Sequence, residues 1–214
     1  MKVKTECEEA GARQVITVQC DLAQESQCQL AVNTTLEQLG QIDVLVHCAG
    51  ILISGGVETL SVEDYDKIMN INTRSALIMT QLVTPHLLLT RGNMVHVSSV
   101  TGLRSFPGVL GYCVSKAALD QLVRCAALDL AGQGVRVNAV NPGVIRTEVH
   151  KTSGMSEEDY ARFLEHSKTT HALGRVGDTD EVAALIGFLA SQEASFITGQ
   201  TIAIDGGRSI MCPR

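Results

Sequence analysis

Two residues in the sequence have the spacing needed for proton-transfer chemistry. Tyr112 and Lys116 are four residues apart in Y-C-V-S-K, and residues at that spacing lie on the same face of a helix. The pair therefore puts a phenol beside an ammonium group. Ser99 lies thirteen residues before Tyr112, just past the run M-V-H-V-S, where its hydroxyl would project from the carboxyl end of a parallel strand. Ligands bind at that edge of open α/β sheets, so the three side chains predict a ligand site. A surface helix for the pair and a turn serine for Ser99 are the alternatives.

The segments around these residues resemble the short-chain dehydrogenase/reductase family. M-V-H-V-S-S-V-T-G, Y-x-x-x-K and V-R-V-N-A-V-N-P-G-V-I-R-T follow one another in the family's order, and the tail S-F-I-T-G-Q-T-I-A-I-D-G-G is also similar. The resemblance runs from about residue 10 to residue 207 and is nearest to 3-oxoacyl carrier-protein reductases. It implies an NAD- or NADP-dependent oxidoreductase that interconverts a carbonyl and a secondary alcohol. A 3-oxoacyl, steroid or small carbonyl compound would be the substrate.

The resemblance also implies a role for each residue of the site. Tyr112 would be the general acid in reduction and the general base in oxidation, and Lys116 would bind the nicotinamide ribose. Lys116 and the nicotinamide charge would together lower the pKa of the phenol. Ser99 would hydrogen-bond the substrate oxygen where negative charge develops. Asn72, in I-M-N-I-N-T, matches the asparagine that holds a water beside the lysine, whereas Asn70 does not match. An exposed asparagine in the middle of a helix is the alternative for Asn72.

Three further segments match the family's cofactor contacts. The first is the pair expected to bind adenine, although its aspartate could simply cap the next helix. The second replaces the family's Asn-Asn-Ala-Gly turn with His47 and three following residues, so the contribution of the first two side chains is open. The third would bind the nicotinamide carboxamide, mainly through its backbone. These candidates are Asp21 and Leu22; Cys48, Ala49 and Gly50; and Pro142, Gly143, Ile145 and Thr147.

The Gly-rich loop that should precede these segments does not occur in the sequence. There is no G-x-G-x-x-G and no T-G-x-x-x-G-x-G, and the piece from Gly50 to Gly56 lacks the lysine and hydroxyl of a P-loop. We therefore expect the family's first strand, phosphate loop, first helix and second strand to be missing, with the chain beginning inside the next helix. Two functions stay open: a reductase that is active in a full-length form, and a truncated, non-catalytic chain that acts as an oligomerisation partner.

The elements that must position the site follow from the alternation of short β-branched runs with segments of helical period. This pattern predicts an α/β, Rossmann-like, doubly wound parallel sheet that lacks its first strand-helix-strand unit, within one domain spanning residues 1–214. Cofactor preference, NAD or NADP, cannot be read without that unit. The predicted strands are Val15–Cys20, Asp43–His47, Asn93–Ser98, Val135–Val140 and Thr201–Ile204.

Helical spacing predicts the remaining elements. Val62–Leu89 is expected to form one long helix bent at Pro85, and Gly111–Leu130 and Thr179–Ala190 two more. The segment Arg146–Arg175 suits a mobile flap over a pocket. Arg104 could meet an acidic substrate or be a solvated loop charge. The expected pocket wall is apolar and consists of Leu103, Phe106, Val144, Met155 and Phe163.

Composition excludes several other classes of protein. The net charge is −6 with no basic stripe, so nucleic acid is not an expected partner. Seven cysteines without a C-x-x-C pair and six histidines without ligand spacing predict no disulfide framework and no metal. The longest near-apolar stretch, Val44–Ile53, is too short to span a bilayer. We expect a cytoplasmic homodimer or homotetramer, unless a targeting segment precedes residue 1.

Overall fold

The core of the structure is a parallel sheet. The computed structural model describes residues 2–149 and 153–212. Within these residues four strands pair in the order β1-β2-β3-β4, every pairing is parallel, and β1 is an edge strand. The strands are β1 Val44–His47, β2 Asn93–Val97, β3 Arg136–Pro142 and β4 Thr201–Ile204. This topology confirms the predicted Rossmann-like class and brings the carboxyl ends of all four strands to one edge.

Among the described helices, two precede β1, and the others connect successive strands. The helices are α1 Lys2–Glu9, α2 Glu25–Leu39, α3 Val62–Met69, α4 Ser75–Thr90, α5 Val100–Leu103, α6 Leu110–Ala131, α7 Glu157–Thr169 and α8 Thr179–Ala190. Short 3₁₀ turns lie at Gln192–Ala194 and Arg208–Ile210. The predicted helices over Gly111–Leu130 and Thr179–Ala190 are confirmed. The segment predicted to be a mobile flap contains α7, and its mobility stays a prediction. None of the described helices combines the length and hydropathy needed to cross a membrane.

The two faces of the sheet are covered unequally. Apolar residues of α2, α4 and α6 form one core cluster with β1, β2 and β3, whereas α8 packs against β2 and β3 on the opposite face. In β1, Leu45 and His47 are buried, but Val44 and Val46 are 38% and 41% exposed. The second face of the edge strand β1 is therefore uncovered by the residues that the structure describes.

The predicted strand Val15–Cys20 is wrong. Residues 14–20 have no regular secondary structure and pair with no strand in the described part of the chain. A parallel strand is stabilised by hydrogen bonds to a neighbour about 4.7–4.9 Å away, and the sheet ends at β1. The sequence of this segment favours a strand, but the segment has no partner with which to form one.

The predicted helix Val62–Leu89 is interrupted, although not at Pro85. A π-helical turn, Asn70–Arg74, joins α3 to α4, and Pro85 lies within α4. The turn buries Asn72 completely, and its side chain and that of Thr73 both hydrogen-bond to Ser115 of α6. Such bulges are frequent at functional sites, and this one directs an asparagine inward.

Candidate active site

A cavity of about 580 Å³ lies at the carboxyl edge of the sheet. Ser99 follows β2 and caps the short helix α5, while α6 carries Tyr112 and Lys116 one helical turn apart. All three side chains line the cavity. The structure therefore brings together the three residues that the sequence analysis singled out for proton transfer.

Lys116 is held inside this wall rather than exposed to water. Its side chain is buried, and Nζ donates a hydrogen bond to the carbonyl oxygen of Val97 at 2.9 Å. Nζ also lies 5.6 Å from the centre of the Tyr112 ring. Burial lowers the pKa of Lys116 to about 8, with Asp120 opposing the change. The ammonium is thus oriented by the end of β2 and is cationic at neutral pH.

The pKa of Tyr112 is set mainly by burial, and the lowering expected from Lys116 together with the nicotinamide charge stays a prediction. Burial of the phenol raises its pKa to about 12, and the interaction with the Ser99 hydroxyl offsets only part of the rise. The loss of hydration destabilises the phenolate more than the hydrogen bond with Ser99 stabilises it. Tyr112 is therefore a protonated hydroxyl at neutral pH, the form needed to donate a proton.

A buried hydrogen-bond network that the sequence analysis missed supports Ser99. The side-chain nitrogen of Asn141, in β3, donates to the carbonyl oxygen of Ser99 at 2.9 Å and to both carboxylate oxygens of Asp120, at 3.1 and 2.9 Å. Burial raises the pKa of Asp120, while hydrogen bonds from Ser98 and Asn141 lower it. This network ties β3, the start of α5 and α6 together directly behind the site.

Asn72 lies behind the cavity rather than in its wall. Its Oδ1 accepts from the backbone nitrogen of Ile51 at 2.8 Å, and its Nδ2 donates to the carbonyl oxygen of Ile51 at 2.9 Å and to Ser115 Oγ at 3.0 Å. These contacts fix the turn after β1. Asn70, which does not match the family's asparagine, accepts a hydrogen bond from Arg74 on the helix surface.

The segment after β3 forms another wall, with Pro142, Gly143, Ile145 and Thr147 in the cavity lining. His171 accepts a hydrogen bond from the backbone nitrogen of Val144 at 3.1 Å through Nε2, and its Nδ1 contacts the carbonyl oxygen of Ser167 at 2.7 Å. Because a carbonyl can only accept, Nδ1 carries the proton. Tyr160 Oη bonds both the nitrogen and the oxygen of Thr147. The sequence analysis identified neither His171 nor Tyr160 as a supporting residue.

These residues leave room for the nicotinamide half of a dinucleotide. A Cβ on Gly50 would lie 3.4 Å from both Asn72 Oδ1 and Lys116 Nζ, and a Cβ on Gly143 would lie 2.8 Å from His171 Nε2. Glycine thus keeps the backbone close to the site at both positions. Cys48 lines the cavity with Gly50. The residues present therefore fit a nicotinamide and its ribose.

The predicted contacts for the rest of the cofactor lie elsewhere. Asp21, Leu22 and Ala49 are not among the residues that line the cavity. Asp21 Oδ1 accepts from the backbone nitrogen of Ala23 at 2.9 Å in the turn before α2, whereas Gln24 is the N-cap residue of that helix, so the helix-capping alternative is wrong. In the described part of the chain, no Gly-rich turn at a helix N-terminus faces the cavity to hold a pyrophosphate.

The outer part of the cavity differs in part from the expected pocket wall. Phe106, Val144 and Phe163 line it, whereas Leu103 and Met155 do not. Arg104 is exposed and donates to the carbonyl oxygen of Ser209. The guanidinium in the lining belongs instead to Arg208, which the sequence analysis did not single out. No group of three or more potential metal ligands occurs among the described residues.

Two buried histidines lie side by side beneath the site. His47 of β1 and His96 of β2 are in register, with ring centres 5.7 Å apart. His47 contacts Ser75 Oγ and His96 contacts Thr80 Oγ1. Burial and the charge of Lys116 lower the pKa of His47 to about 4. Burial, His47 and Lys116 lower the pKa of His96 to about 3. Both rings are neutral at pH 7.

We expect this pair to make the fold sensitive to acid. Between the folded pKa values and the ordinary value of 6.5, the unfolded chain binds more protons, so stability falls as the pH falls. The loss is about 1.4 kcal/mol per histidine per pH unit below 6.5, or about 2 kcal/mol each at pH 5. Urea unfolding at pH 7, 6 and 5 measures it.

Single variants separate the histidines from other acid-sensitive groups. His47→Asn and His96→Asn should each flatten the pH dependence, whereas exposed His166→Asn should leave it unchanged. A free energy of unfolding that stays constant from pH 7 to pH 5 in the unsubstituted chain would show that the pair is not held neutral.

Comparison with known proteins shows that the chain is similar to reductases and dehydrogenases. A family model described as Enoyl-(Acyl carrier protein) reductase matches residues 1–209. The chain is 38% identical over 192 residues to meso-2,3-butanediol dehydrogenase of Serratia marcescens, a match that covers 90% of this chain and 74% of that protein. It is also 38% identical over 188 residues to the 3-oxoacyl-(acyl-carrier-protein) reductase FabG of Thermotoga maritima, covering 87% and 74%. A solved structure of a Caenorhabditis elegans short-chain dehydrogenase/reductase of unknown function, with cofactor, superposes with a TM-score of 0.93 at 35% identity, covering 99% of this chain and 82% of that one.

Proposed function

Because the chain belongs to the short-chain dehydrogenase/reductase family, we propose that its site interconverts a carbonyl and a secondary alcohol by hydride transfer. NAD or NADP is the proposed cofactor, and its nicotinamide ring would supply or accept the hydride. The observation that carries the proposal is that Ser99, Tyr112 and Lys116 line one cavity with the backbone segment Pro142–Thr147.

In the direction of reduction, Tyr112 gives its hydroxyl proton to the carbonyl oxygen as the hydride reaches the carbon. The raised pKa of Tyr112, about 12, keeps that proton in place at neutral pH. Ser99 hydrogen-bonds the same oxygen, which stabilises the negative charge that develops there. Lys116, held by Val97, provides a positive charge beside the phenol that favours the phenolate left after proton transfer.

The backbone segment Pro142–Thr147 would hold the nicotinamide. Val144 is hydrogen-bonded to His171, and Thr147 is hydrogen-bonded to Tyr160. These bonds hold the segment in place behind the cavity wall. Gly50 and Lys116 would border the ribose.

The test of this proposal is an assay of NADH and NADPH oxidation with small ketones, steroid ketones and 3-oxoacyl thioesters. It requires a form in which a Gly-rich strand-helix-strand unit precedes residue 1. We expect this form of the protein to reduce at least one of the three classes of compound. Binding of cofactor without turnover of any of them would contradict the proposed reaction.

A second candidate function, as an oligomerisation partner, is favoured by the outer faces of α4 and α6. Leu89 of α4 and Leu128 of α6 are each 83% exposed, and Leu77 and Val114 on the same helices are also exposed. Exposed apolar side chains on neighbouring helices mark protein interfaces. The same surface would serve a homodimer or homotetramer of the active enzyme.

We expect the chain to form homo-oligomers through this surface. Leu89→Glu with Leu128→Glu should convert oligomer to monomer, because a buried unpaired carboxylate costs far more than an exposed one. Light scattering at tens of micromolar measures the mass. Leu30→Glu with Leu39→Glu, which adds the same two charges at exposed leucines of α2, is the control. A monomeric unsubstituted chain, or an oligomer that resists the double substitution, would contradict the prediction.

A further inference from the structure

Arg208 reaches the cavity from the opposite side to the sheet. It lies in the 3₁₀ turn after β4, and its guanidinium carbon is 4.6 Å from the centre of the Phe106 ring. Both side chains line the cavity that contains Ser99 and Tyr112. Arg208 therefore lines the same cavity as the proton-transfer residues.

The backbone around Arg208 is firmly held. Asp205 accepts hydrogen bonds from the backbone nitrogens of Gly207, at 2.9 Å, and Ser209, at 2.6 Å. Arg104 Nε donates to the carbonyl oxygen of Ser209 at 2.8 Å, which ties the turn to the end of α5. The backbone that carries Arg208 is therefore fixed by the fold, and the guanidinium itself stacks on Phe106.

The guanidinium lacks a full set of partners. Its Nε is buried without a hydrogen-bond acceptor among the described residues, and no carboxylate lies within 4.0 Å of it in that part of the chain. Asp205 is the neighbouring acid and raises the pKa of Arg208, although burial has the larger effect and lowers it. His171 is the other titratable group that interacts with this charge. A buried cationic donor without an acceptor is costly.

The remaining outer lining of the cavity is mostly apolar and includes Val109, Val149 and Phe163, with Thr101, Thr147 and Thr179. A ligand that extends from the site to Arg208 would thus cross an apolar region and end beside a cation. Arginine is well suited to bind a carboxylate through two parallel hydrogen bonds. The purely structural alternative is that the guanidinium only stacks on Phe106.

We propose that Arg208 is the anion-binding group of the substrate pocket and that the preferred substrates are oxo or hydroxy compounds carrying a carboxylate separated from the reacting carbon by an apolar chain. The proposal rests on the proposed function for the location of the reacting carbon. The recognition itself depends only on Arg208, Phe106 and the apolar lining.

Calorimetric binding of hexanoate and hexanamide to the 214-residue chain tests the recognition without cofactor or turnover. The unsubstituted chain should bind hexanoate about tenfold or more tightly than hexanamide, since hydrogen bonds to charged groups are the stronger ones. Arg208→Met should remove the preference, and Arg208→Lys should keep part of it. Arg13→Met, the same change of charge at an exposed arginine outside the cavity, should leave it intact.

Three outcomes would overturn the proposal. They are no preference or no measurable binding of hexanoate in the unsubstituted chain, a preference that survives Arg208→Met, and a preference lost equally in Arg13→Met. Weakened NADPH binding in Arg208→Met with an unchanged hexanoate preference would assign Arg208 to the cofactor instead. Thermal melts of each variant confirm folding, and Arg208→Lys decides the matter if Arg208→Met does not fold.

The same variants distinguish this proposal from the proposed function. An Arg208-dependent preference for hexanoate in a protein that reduces no carbonyl would contradict only the hydride-transfer reaction. Reduction of 6-oxoheptanoate and of its methyl ester with equal kcat/KM would contradict only the role of Arg208.

Discussion

Tyr112→Phe should lower carbonyl-reduction turnover by about 10²–10⁴-fold, the usual contribution of a positioned proton donor. The substitution removes one oxygen and leaves the ring that lies beside Lys116, so the wall of the cavity keeps its shape. Cofactor affinity should therefore change little. The measurement is kcat for NADPH or NADH oxidation, with calorimetric Kd for the cofactor, in a form that carries a Gly-rich unit before residue 1.

Tyr65→Phe is the matched control, because Tyr65 lies on α3 and does not line the cavity. It should retain nearly full turnover. If Tyr112→Phe also retained most of its turnover, Tyr112 would not be the proton donor. A large loss of cofactor affinity in Tyr112→Phe would likewise show that the residue acts in binding rather than in proton transfer.

Adding a Gly-rich strand-helix-strand unit before residue 1 should tighten NADH or NADPH binding by at least about 100-fold. A dinucleotide pyrophosphate is normally held by backbone N–H groups at a Gly-rich turn and by the helix N-terminus behind it. Two hydrogen bonds to charged oxygens at about 1.5–3 kcal/mol each account for a factor of this size. Calorimetry on the chain with and without the unit measures the change.

The added unit would also cover Val44 and Val46 and give β1 a second neighbour, so stability alone could rise. A control unit with its loop glycines replaced by bulky residues separates the two effects. It should restore stability but not affinity. Equal affinity for cofactor with and without the intact loop would mean that the described chain already has a phosphate site.

Local patterns in the sequence were sufficient for the elements that bear the catalytic residues. Regular apolar spacing predicted α6 almost to its ends, and the β-branched runs predicted β1 to β4 within two residues. The position of Tyr112 relative to Lys116 follows from helix geometry alone. For this reason, the arrangement of Ser99, Tyr112 and Lys116 in one wall could be anticipated.

Features that depend on neighbours could not be anticipated in the same way. Val15–Cys20 has the composition of a strand but lacks a pairing partner, so the segment does not form one. The π-helical turn at Asn70–Arg74 arises where α3 and α4 pack against α6, which no periodicity reveals. The pKa of Tyr112 depends mainly on burial, which the spacing to Lys116 does not reveal.

The supporting residues come from distant parts of the chain. Asn141 and Asp120 meet behind Ser99, His171 holds Val144, and Arg208 stacks on Phe106. Each of these contacts joins residues that lie far apart in sequence. Only the tertiary structure identifies them, because one sequence contains no signal for such pairs beyond the residue types.

Titration of the 214-residue chain with nicotinamide mononucleotide and with NADH and NADPH is the most direct test of the central claim. We propose that the cavity holds the nicotinamide half, and no Gly-rich turn at a helix N-terminus faces it among the residues that the structure describes. The dinucleotides should therefore bind no more than about tenfold more tightly than the mononucleotide, a difference of about 1.4 kcal/mol. Submillimolar binding of NADH or NADPH, far tighter than that of the mononucleotide and accompanied by turnover that Tyr112→Phe abolishes, would contradict the claim.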